Sequence, residues 1–255
     1  MPGRPLRVAR QFWLNEAKFM QSVGRLENIG GGVFVEVSDE YGFGEDALLL
    51  AQFASPRPGE NMCDLGTGCG IIPFLWCRSR PTPHIEAIEI QQAAVLMARR
   101  SVNRAGLQES IIIHHADLRE WHKILTPGSQ DTVTMNPPYF APGTGHLSSS
   151  KAARISRHEG EGCTFEQAAA AAFGLLRSGG RFCVCHKPQR LCEILDVLQA
   201  FNLEPKRLRF IHNTIDSPPW LFLVESHKGG SKGLAVMPPF IHIGVDGMPI
   251  TEQQV

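Results

Sequence analysis

Apolar and polar residues follow two alternating periods along the chain. Between residues 61 and 200, short apolar stretches with strand-like alternation are followed by longer stretches with a helical period. The predicted strands of this region are 61–64, 85–90, 111–113, 131–135 and 181–186, and the predicted helices are 70–79, 91–105, 164–176 and 190–200. Such alternation is typical of a mostly parallel sheet with helices on both faces.

Further elements extend this pattern towards both ends of the chain. A strand is predicted over 33–37 and a helix over 44–54, and residues 206–211 and 220–226 can pair as the last two strands. The central sheet is therefore predicted to have seven strands. We expect a single domain over 33–255, preceded by an extension, residues 1–32, that lacks the strand–helix pattern.

Composition and charge narrow the class of protein. The formal net charge is zero, which argues against a wholly electrostatic nucleic-acid binder but leaves room for a local basic surface. The apolar runs are all shorter than the roughly 18 residues that a membrane span needs, so no membrane association is expected. The seven cysteines form no C-x-x-C pair, which favours reduced thiols in a cytoplasmic protein and argues against a metal site. The oligomeric state stays open.

The first candidate motif is a glycine-rich turn between a strand and a helix. It runs from Asp64 to Gly70 and has glycines at every second position, Gly66, Gly68 and Gly70. Glycines permit a tight turn and a close approach of the backbone to a ligand. The segment has no lysine of the kind that phosphate-binding loops carry, and Asp64 suits a cationic amino acid moiety better than a phosphate. We predict a cofactor site here.

Two further acidic residues follow the next strands. Glu89 ends the strand after the glycine-rich turn, 19 residues beyond Gly70, close to the spacing at which an acid binds ribose hydroxyls in nucleoside-binding folds. Asp117 follows the third strand, where its carboxylate can accept a hydrogen bond from an adenine amino group. The neighbouring histidines, His114 and His115, are expected at a strand edge and not as metal ligands.

The most specific motif is Asn136-Pro137-Pro138-Tyr139, after the fourth strand. Two prolines end the strand and stiffen the backbone. An amide, a rigid carbonyl and an aromatic ring then meet at one point. Asn136 Oδ1 and the Pro137 carbonyl can each accept a hydrogen from a planar NH2 group, and Tyr139 can stack on its plane. These four residues are the predicted catalytic residues, and Asn136 also borders the cofactor.

Together the two motifs resemble those of class I methyltransferases that act on amino groups. More narrowly, the chain is similar to the bacterial tRNA1(Val) adenine-37 N6-methyltransferase family. The matching segments lie almost throughout the chain after residue 36, at 44–50, 64–70, 87–90, 136–140, 153–159, 176–182, 204–207, 225–233 and 237–239. Residues 1–30 have no counterpart, and Cys69 and Glu45 stand where the family often has threonine.

The resemblance implies a Rossmann-like fold, S-adenosylmethionine as cofactor and a tRNA as partner. It implies methyl transfer to the exocyclic N6 of an adenine, at position 37 of the anticodon loop. It also places Asp46 beside the cofactor and Phe140 on the substrate side. Two alternatives share the motif and stay open: a glutamine N5-methyltransferase of the release-factor type, because a glutamine amide is also a planar NH2 group, and a guanine-N2 methyltransferase of ribosomal RNA.

A neutral protein that binds tRNA needs a local basic surface near the mouth of its site, because phosphate contacts supply much of the affinity. Two segments are candidates for this surface. One follows the catalytic motif and the other lies in the glycine-rich loop after the last strand. The residues predicted to contact RNA are Arg154, Arg157, His158, Lys228 and Lys232.

Overall fold

A central, mostly parallel sheet organises residues 24–78, 84–137 and 163–243, the part of the chain that is described in a computed structural model. Its strands are β3 (Asn61–Leu65), β4 (His84–Glu89), β5 (Ile111–His115), β6 (Gln130–Met135), β7 (Leu176–His186), β8 (Leu203–Thr214), β9 (Pro219–Lys228), β10 (Ala235–Val236) and β11 (Phe240–Ile243). The seven predicted strands are all present. Two short strands, β10 and β11, extend the sheet to nine strands over the described residues.

The helices connect the strands and cover the sheet. They are α1 (Glu45–Phe53), α2 (Ile71–Cys77), α3 (Gln92–Ala105), α4 (Phe165–Leu175) and α5 (Leu191–Ala200) within the described residues. Helix α4 begins with a capping box, in which the Thr164 hydroxyl accepts from the Gln167 backbone and the Gln167 side chain accepts from the Thr164 backbone. Helix α3 ends at Gly106 in the left-handed conformation, φ 68°. Both boundaries agree with the predicted helices, 91–105 and 164–176.

The order of the strands defines where a ligand can bind. Strand β3 lies in the interior of the sheet, with β4 and β5 on one side and β6 and β7 on the other. Strands β3 to β7 pair in parallel with their neighbours in this series, and β9 is antiparallel to both β7 and β8. The strand order therefore reverses between β3 and β6, and ligands in such sheets bind at the carboxyl ends of the strands at this switch point.

Apolar clusters fill the space on both faces of the sheet. One cluster packs α1, α2 and α3 against side chains such as Met62, Ile85 and Leu221. The other packs α4 and α5 against side chains such as Leu65, Val133 and Phe182. These strand residues are almost completely buried. The buried positions of these strands also include polar residues, such as Glu86, Thr132 and Thr134.

A β-hairpin precedes the sheet and changes the predicted domain boundary. Its strands are β1 (Arg25–Asn28) and β2 (Phe34–Val37), which pair antiparallel. The hairpin joins α3 through Glu36, whose carboxylate accepts hydrogen bonds from Arg100 at 2.6 and 2.8 Å. The predicted boundary at residues 32 and 33 lies between the two strands. That boundary is wrong as a structural division, since residues 25–28 pair with the domain.

Helices long and apolar enough to cross a membrane are absent from the described ranges.

Candidate functional site

The two loops that the sequence marks as functional follow neighbouring strands at the switch point. Asp64 of β3 and Thr134 of β6 are partners in the register of the two strands. The Thr134 hydroxyl donates a hydrogen bond of 2.7 Å to Asp64 Oδ1. This contact joins the two strands just before the glycine-rich turn begins on one side and Asn136 on the other, so both predicted motifs open at the same place.

The three glycines of the turn serve two different purposes. Gly66, Gly68 and Gly70 all have positive φ angles, of 69°, 57° and 86°, which disfavour residues with a side chain. A Cβ at Gly66 or Gly68 would meet nothing within 4 Å, so these two residues border open space. A Cβ at Gly70 would approach Phe74 and Ala98 at 3.3 and 3.4 Å. The first two glycines thus leave room for a ligand, and the third permits close packing of α2 against α3.

The backbone donors of the turn are used mainly to hold its shape. Gly66 and Thr67 donate to the carbonyl of Ile88 at 2.8 and 3.1 Å. Gly68 donates to Glu89 Oε2 at 2.9 Å, and Glu89 Oε1 accepts from the backbone of Gln91 at 2.8 Å. Glu89 therefore links the turn to the end of β4. Because a carboxylate can accept about four hydrogen bonds, it can also accept from a ligand hydroxyl.

Asp64 is the buried acid of the site. Its Oδ2 and the hydroxyl oxygen of Thr67 are buried, and neither makes a hydrogen bond of standard geometry within the described residues. Burial raises the pKa of Asp64 to about 7, because the hydrogen bond from Thr134 and a weaker contact with Thr67 compensate for only part of the lost hydration. Burial also raises the pKa of Glu89. Unpaired buried oxygens beside open space are the arrangement that a cationic or hydrogen-bond-donating ligand completes.

Asp117 and Asp46 lie at helix starts around this edge. Asp117 precedes a 3₁₀ turn, accepts from the Arg119 backbone at 2.9 Å and pairs with the Arg119 guanidinium. Hydrogen bonding to Arg119 lowers the pKa of Asp117. Asp46 lies in the first turn of α1, and its Oδ1 accepts from the backbone of Ala47 at 2.9 Å.

Asn136 directly follows β6, and its side chain contacts β7. The Sγ of Cys185 donates to Asn136 Oδ1 over 3.1 Å, and Pro137 is buried after it. The remaining residues of the predicted catalytic and RNA-binding loop lie outside the described ranges. They are Pro138, Tyr139, Phe140, Arg154, Arg157 and His158.

The structure adds Tyr41, which the sequence does not single out, to this edge. Tyr41 lies in the loop before α1, where its backbone donates to the hydroxyl of Ser38 at 3.1 Å. Burial and the nearby charge of Glu89 raise the pKa of the Tyr41 phenol. A half-buried aromatic ring near the acid at the end of β4 can pack against a planar ligand. In the sequence, the only signal for such a role is that Tyr41 is an aromatic residue next to a glycine.

Lys228 and Lys232 do not line this site. Lys228 ends β9, and its partner in the register is Leu203, the first residue of β8. Since β9 runs antiparallel to β7, Lys228 and the loop after it lie at the opposite edge of the sheet. The Lys228 ammonium donates to the carbonyls of Phe173 and Leu176 at 2.6 and 2.7 Å. The expectation that these lysines flank the mouth is therefore wrong.

Clusters of three or more histidine, cysteine, aspartate or glutamate side chains that could hold a metal ion do not occur within the described ranges.

The family of the chain follows from its sequence profile. The methyltransferase small domain family matches residues 31–198, which is more than half of the chain and contains the glycine-rich turn and Asn136. The chain belongs to this family. The match begins in the hairpin and ends in α5.

Curated relatives of the chain share a part of this region. A tRNA1(Val) (adenine(37)-N6)-methyltransferase from Pedobacter heparinus is 25% identical over 173 residues, 68% of this chain and 71% of that protein. A protein of the same name from Bacteroides thetaiotaomicron is 29% identical over 142 residues, and the chain spans only 57% of that relative. The protein from Pasteurella multocida is 33% identical over 101 residues, 39% of this chain and 42% of that protein.

Solved structures of other methyltransferases share the fold. A predicted O-methyltransferase, protein Atu636 from Agrobacterium tumefaciens, has a TM-score of 0.67 at 22% identity, covering 82% of this chain and 92% of that chain. A geranyl diphosphate methyltransferase in complex with SAM has a TM-score of 0.53 at 12% identity, covering 71% of this chain and 84% of that chain. The predicted fold class, a Rossmann-like class I methyltransferase, is confirmed.

Proposed function

We propose that the protein transfers a methyl group from S-adenosylmethionine to the exocyclic N6 of an adenine in a tRNA, at position 37 of the anticodon loop. The observation that carries the proposal is the position of Asn136 and Pro137, which directly follow β6 at the switch point beside the glycine-rich turn. A planar amino group held there faces the same open edge as a cofactor held by the turn.

The residues at the turn fit S-adenosylmethionine. The buried, unpaired Oδ2 of Asp64 suits the ammonium of the methionine moiety. Glu89 suits the ribose hydroxyls, and the open space beside Gly66 and Gly68 lets the cofactor approach the backbone. In the proposed complex, Asp117 accepts from the adenine amino group, and Asp46 borders the methionine end. When bound, the cofactor supplies a methyl group on a positively charged sulfur.

The chain's own residues then act on the amino group of the substrate. The lone pair of an adenine amino group is delocalised into the ring, which makes the nitrogen a weak nucleophile. Hydrogen bonds from the NH2 group to Asn136 Oδ1 and to the Pro137 carbonyl localise that lone pair on the nitrogen. Tyr139 stacks on the base and fixes its plane. Positioning of the two reacting groups in line supplies most of the rate gain.

Proton removal needs no dedicated base in this scheme. The nitrogen becomes acidic once it carries the methyl group, and its proton can leave to water after the transfer. A target base in a duplex would have to leave its stack to reach Asn136. An anticodon-loop base is already partly unstacked, which favours such a substrate, and three relatives carry the name of an enzyme that acts on adenine 37 of tRNA1(Val). The contact of tRNA phosphates with Arg154, Arg157 and His158 stays a prediction.

Two other substrates present the same planar NH2 group. A glutamine side chain of a release factor and the N2 of guanine in ribosomal RNA can both donate to Asn136 and Pro137. The names of the relatives favour adenine in tRNA over these two. The motif itself fixes the shape of the acceptor group and not the molecule that carries it, so the substrate must be tested directly.

The test is to incubate the purified protein with methyl-labelled S-adenosylmethionine and tRNA from a strain that lacks the gene. Mass spectrometry of digested nucleosides should then show N6-methyladenosine. A matched tRNA1(Val) with guanine at position 37 should stay unmethylated. Label recovered in N2-methylguanosine of ribosomal RNA, or in a glutamine of a release factor supplied in place of tRNA, would overturn the proposal.

A further inference from the structure

The backbone of Asn136 is fixed from two sides, and the orientation of its side-chain amide is a separate question. On one side, Met135 pairs with Val184 in the register of β6 and β7. On the other side, Pro137 restricts the residue before it to extended conformations. The terminal torsion of an asparagine side chain, in contrast, is broad and roughly two-fold. The proposed chemistry needs the amide oxygen, and not the NH2 group, to meet the substrate, so this torsion must be set by a neighbour.

Cys185 of β7 lies where it can set the terminal torsion of the Asn136 side chain. The residue follows Val184, so it lies beside Asn136 in the continuation of the register. Its side chain is fully buried in the apolar cluster beneath α1 and α2, and its Sγ donates to Asn136 Oδ1 over 3.1 Å. A side chain packed in a dense core has a defined position. The thiol therefore offers the amide oxygen a fixed donor.

We propose that Cys185 is a positioning residue, which holds the Asn136 amide with its oxygen in the orientation that accepts a hydrogen from the target amino group. The proposal rests on the proposed function for the identity of that target. An amide oxygen has the capacity for two hydrogen bonds, so a thiol and a substrate N–H can share Oδ1. Because S–H is a weak donor, it orients the oxygen while leaving most of its acceptor strength for the substrate.

Cys183 provides a matched control on the same strand. It lies two residues before Cys185 on β7, it is also fully buried, and it belongs to the same apolar cluster. Its Sγ contacts Glu225 over 3.8 Å instead of the asparagine. Replacing either cysteine by alanine removes a similar buried volume from a similar place. The two variants should therefore lose comparable packing, and a difference between them reports on the contact with Asn136.

The kinetic test compares Cys185→Ala, Cys185→Ser and Cys183→Ala in methyl transfer to tRNA. Cys185→Ala should lower kcat about fivefold, the size expected for the loss of one ordinary hydrogen bond, with KM for tRNA and the Kd of the cofactor unchanged. Cys185→Ser restores a donor and should recover kcat to within about twofold. Cys183→Ala should keep the wild-type kcat. Equal losses in the two alanine variants, or no rescue by serine, would overturn the proposal.

A second measurement needs no substrate. The side-chain NH2 signals of Asn136, assigned by their disappearance in Asn136→Asp, should shift in the 15N–1H spectrum of Cys185→Ala and stay in place in Cys183→Ala. Unchanged signals in Cys185→Ala would overturn the positioning role. If wild-type protein leaves tRNA unmethylated, the proposed function fails, and this spectrum still decides whether Cys185 orients the amide.

Discussion

Two buried carboxylates of the central sheet, Asp64 and Glu225, lie in the same cross-strand row but in opposite surroundings. At the edge where β3 and β6 end, Asp64 has one oxygen that makes no hydrogen bond of standard geometry in the described part of the chain, and burial raises its pKa to about 7. Three strands away in that row, on β9, both oxygens of Glu225 are paired, with Arg181, Arg207 and His227. Burial alone would raise the pKa of Glu225 as well, but hydrogen bonds from Arg207 and His227 lower it to about 2.

This difference in pairing distinguishes polar groups that stabilise the fold from polar groups that are available to bind a ligand. Glu225 belongs to an ion-pair network, in which Arg181 also reaches Glu60 at 2.7 Å, although the Nε of Arg181 makes no hydrogen bond within the described residues. A group of this kind has all its partners within the protein. Asp64 lies beside glycines with positive φ angles that border open space, where a ligand can supply a partner for its second oxygen. A pKa that is raised beside open space is therefore the better sign of a binding site.

Arg181→Met is expected to produce the largest effect, and it should fall on stability alone. The substitution leaves Glu60 without its arginine and removes one partner from Glu225, both in the interior. Breaking a buried ion pair from one side typically lowers the free energy of unfolding by about 3–5 kcal/mol. Urea denaturation measures the change, and calorimetry on the folded variant should give the wild-type affinity for S-adenosylmethionine.

Arg177→Met is the control for this variant. Arg177 pairs with Asp131 at the same edge of the sheet, but its side chain is 55% exposed. An exposed pair of this kind contributes about 0–1 kcal/mol. Equal destabilisation by the two variants, or a loss of cofactor affinity in Arg181→Met, would show that the Glu225 network and the Asp64 site do not differ as described.

Asn136→Ala should produce the next largest effect, on turnover and not on stability. Removing one preorganised partner of a transition state lowers kcat about 10²-fold or more. The loss should appear in kcat and not in the Kd of the cofactor, because the amide binds the amino group most strongly as charge develops on it in the transition state. Single-turnover methylation of tRNA measures it, with Asn103→Ala on the exposed face of α3 as control. A fully active Asn136→Ala enzyme would refute the mechanism.

Sequence reasoning succeeded for features that adjacent residues specify. The periodicity of apolar residues placed the strands and helices, and the Thr164 cap and the Gly106 stop fixed two helix ends. The turn at Asp64 to Gly70 and the motif at Asn136 were each predicted to follow a strand of a mostly parallel sheet, and the carboxyl ends of such strands meet at one edge. For these features the local sequence pattern and the global fold agree, and under that condition the structure can be predicted from the sequence.

Features that depend on partners distant in the chain were missed or misplaced. The contact of Cys185 with Asn136 crosses 49 positions in the sequence, and no spacing rule connects them. Lys228 seemed suited to RNA because it opens a glycine-rich loop, but the antiparallel direction of β9 places it at the other edge. The strand β1 was missed because Leu26 is its only apolar residue, so its pairing with β2 gives no periodic signal.

The raised pKa of Asp64 predicts a pH-dependent affinity for the cofactor. A cationic ammonium favours the carboxylate form, so S-adenosylhomocysteine should bind with constant affinity above about pH 7 and more weakly below it. The loss approaches tenfold for each pH unit. The same pKa shift has the opposite effect on the stability of the free protein. The folded form binds the proton more tightly than the unfolded chain does, so ionisation of Asp64 lowers the free energy of unfolding as the pH rises towards 7.

Calorimetric titration between pH 5.5 and 8 tests this dependence. Asp64→Asn should bind S-adenosylhomocysteine weakly at every pH and lose the part of the pH dependence that comes from Asp64. Burial also raises the pKa of Glu89, and this residue contributes equally to the pH dependence of both proteins. If wild-type protein and Asp64→Asn show the same slope, the carboxylate does not meet the ammonium, and the unpaired oxygen of Asp64 needs another explanation.

Lys228→Ala should produce the smallest effect, and it tests whether the edge opposite Asn136 is only structural. The ammonium satisfies two carbonyls at the end of α4 and lies 4.2 Å from the centre of the Phe173 ring. A cation at a helix C-terminus contributes about 1 kcal/mol to stability, so urea denaturation should show a loss of this size. Lys232→Ala, in the exposed loop that follows, should show none. Neither variant should change the slope of log affinity for tRNA against log salt concentration, since Lys228 lies five residues along β9, about 17 Å, from the row that contains Leu223 and Cys185. A slope reduced by about one unit in either variant would mean that a phosphate is bound there, and the tRNA would then extend around the domain to an edge that the contacts of Lys228 assign to the fold.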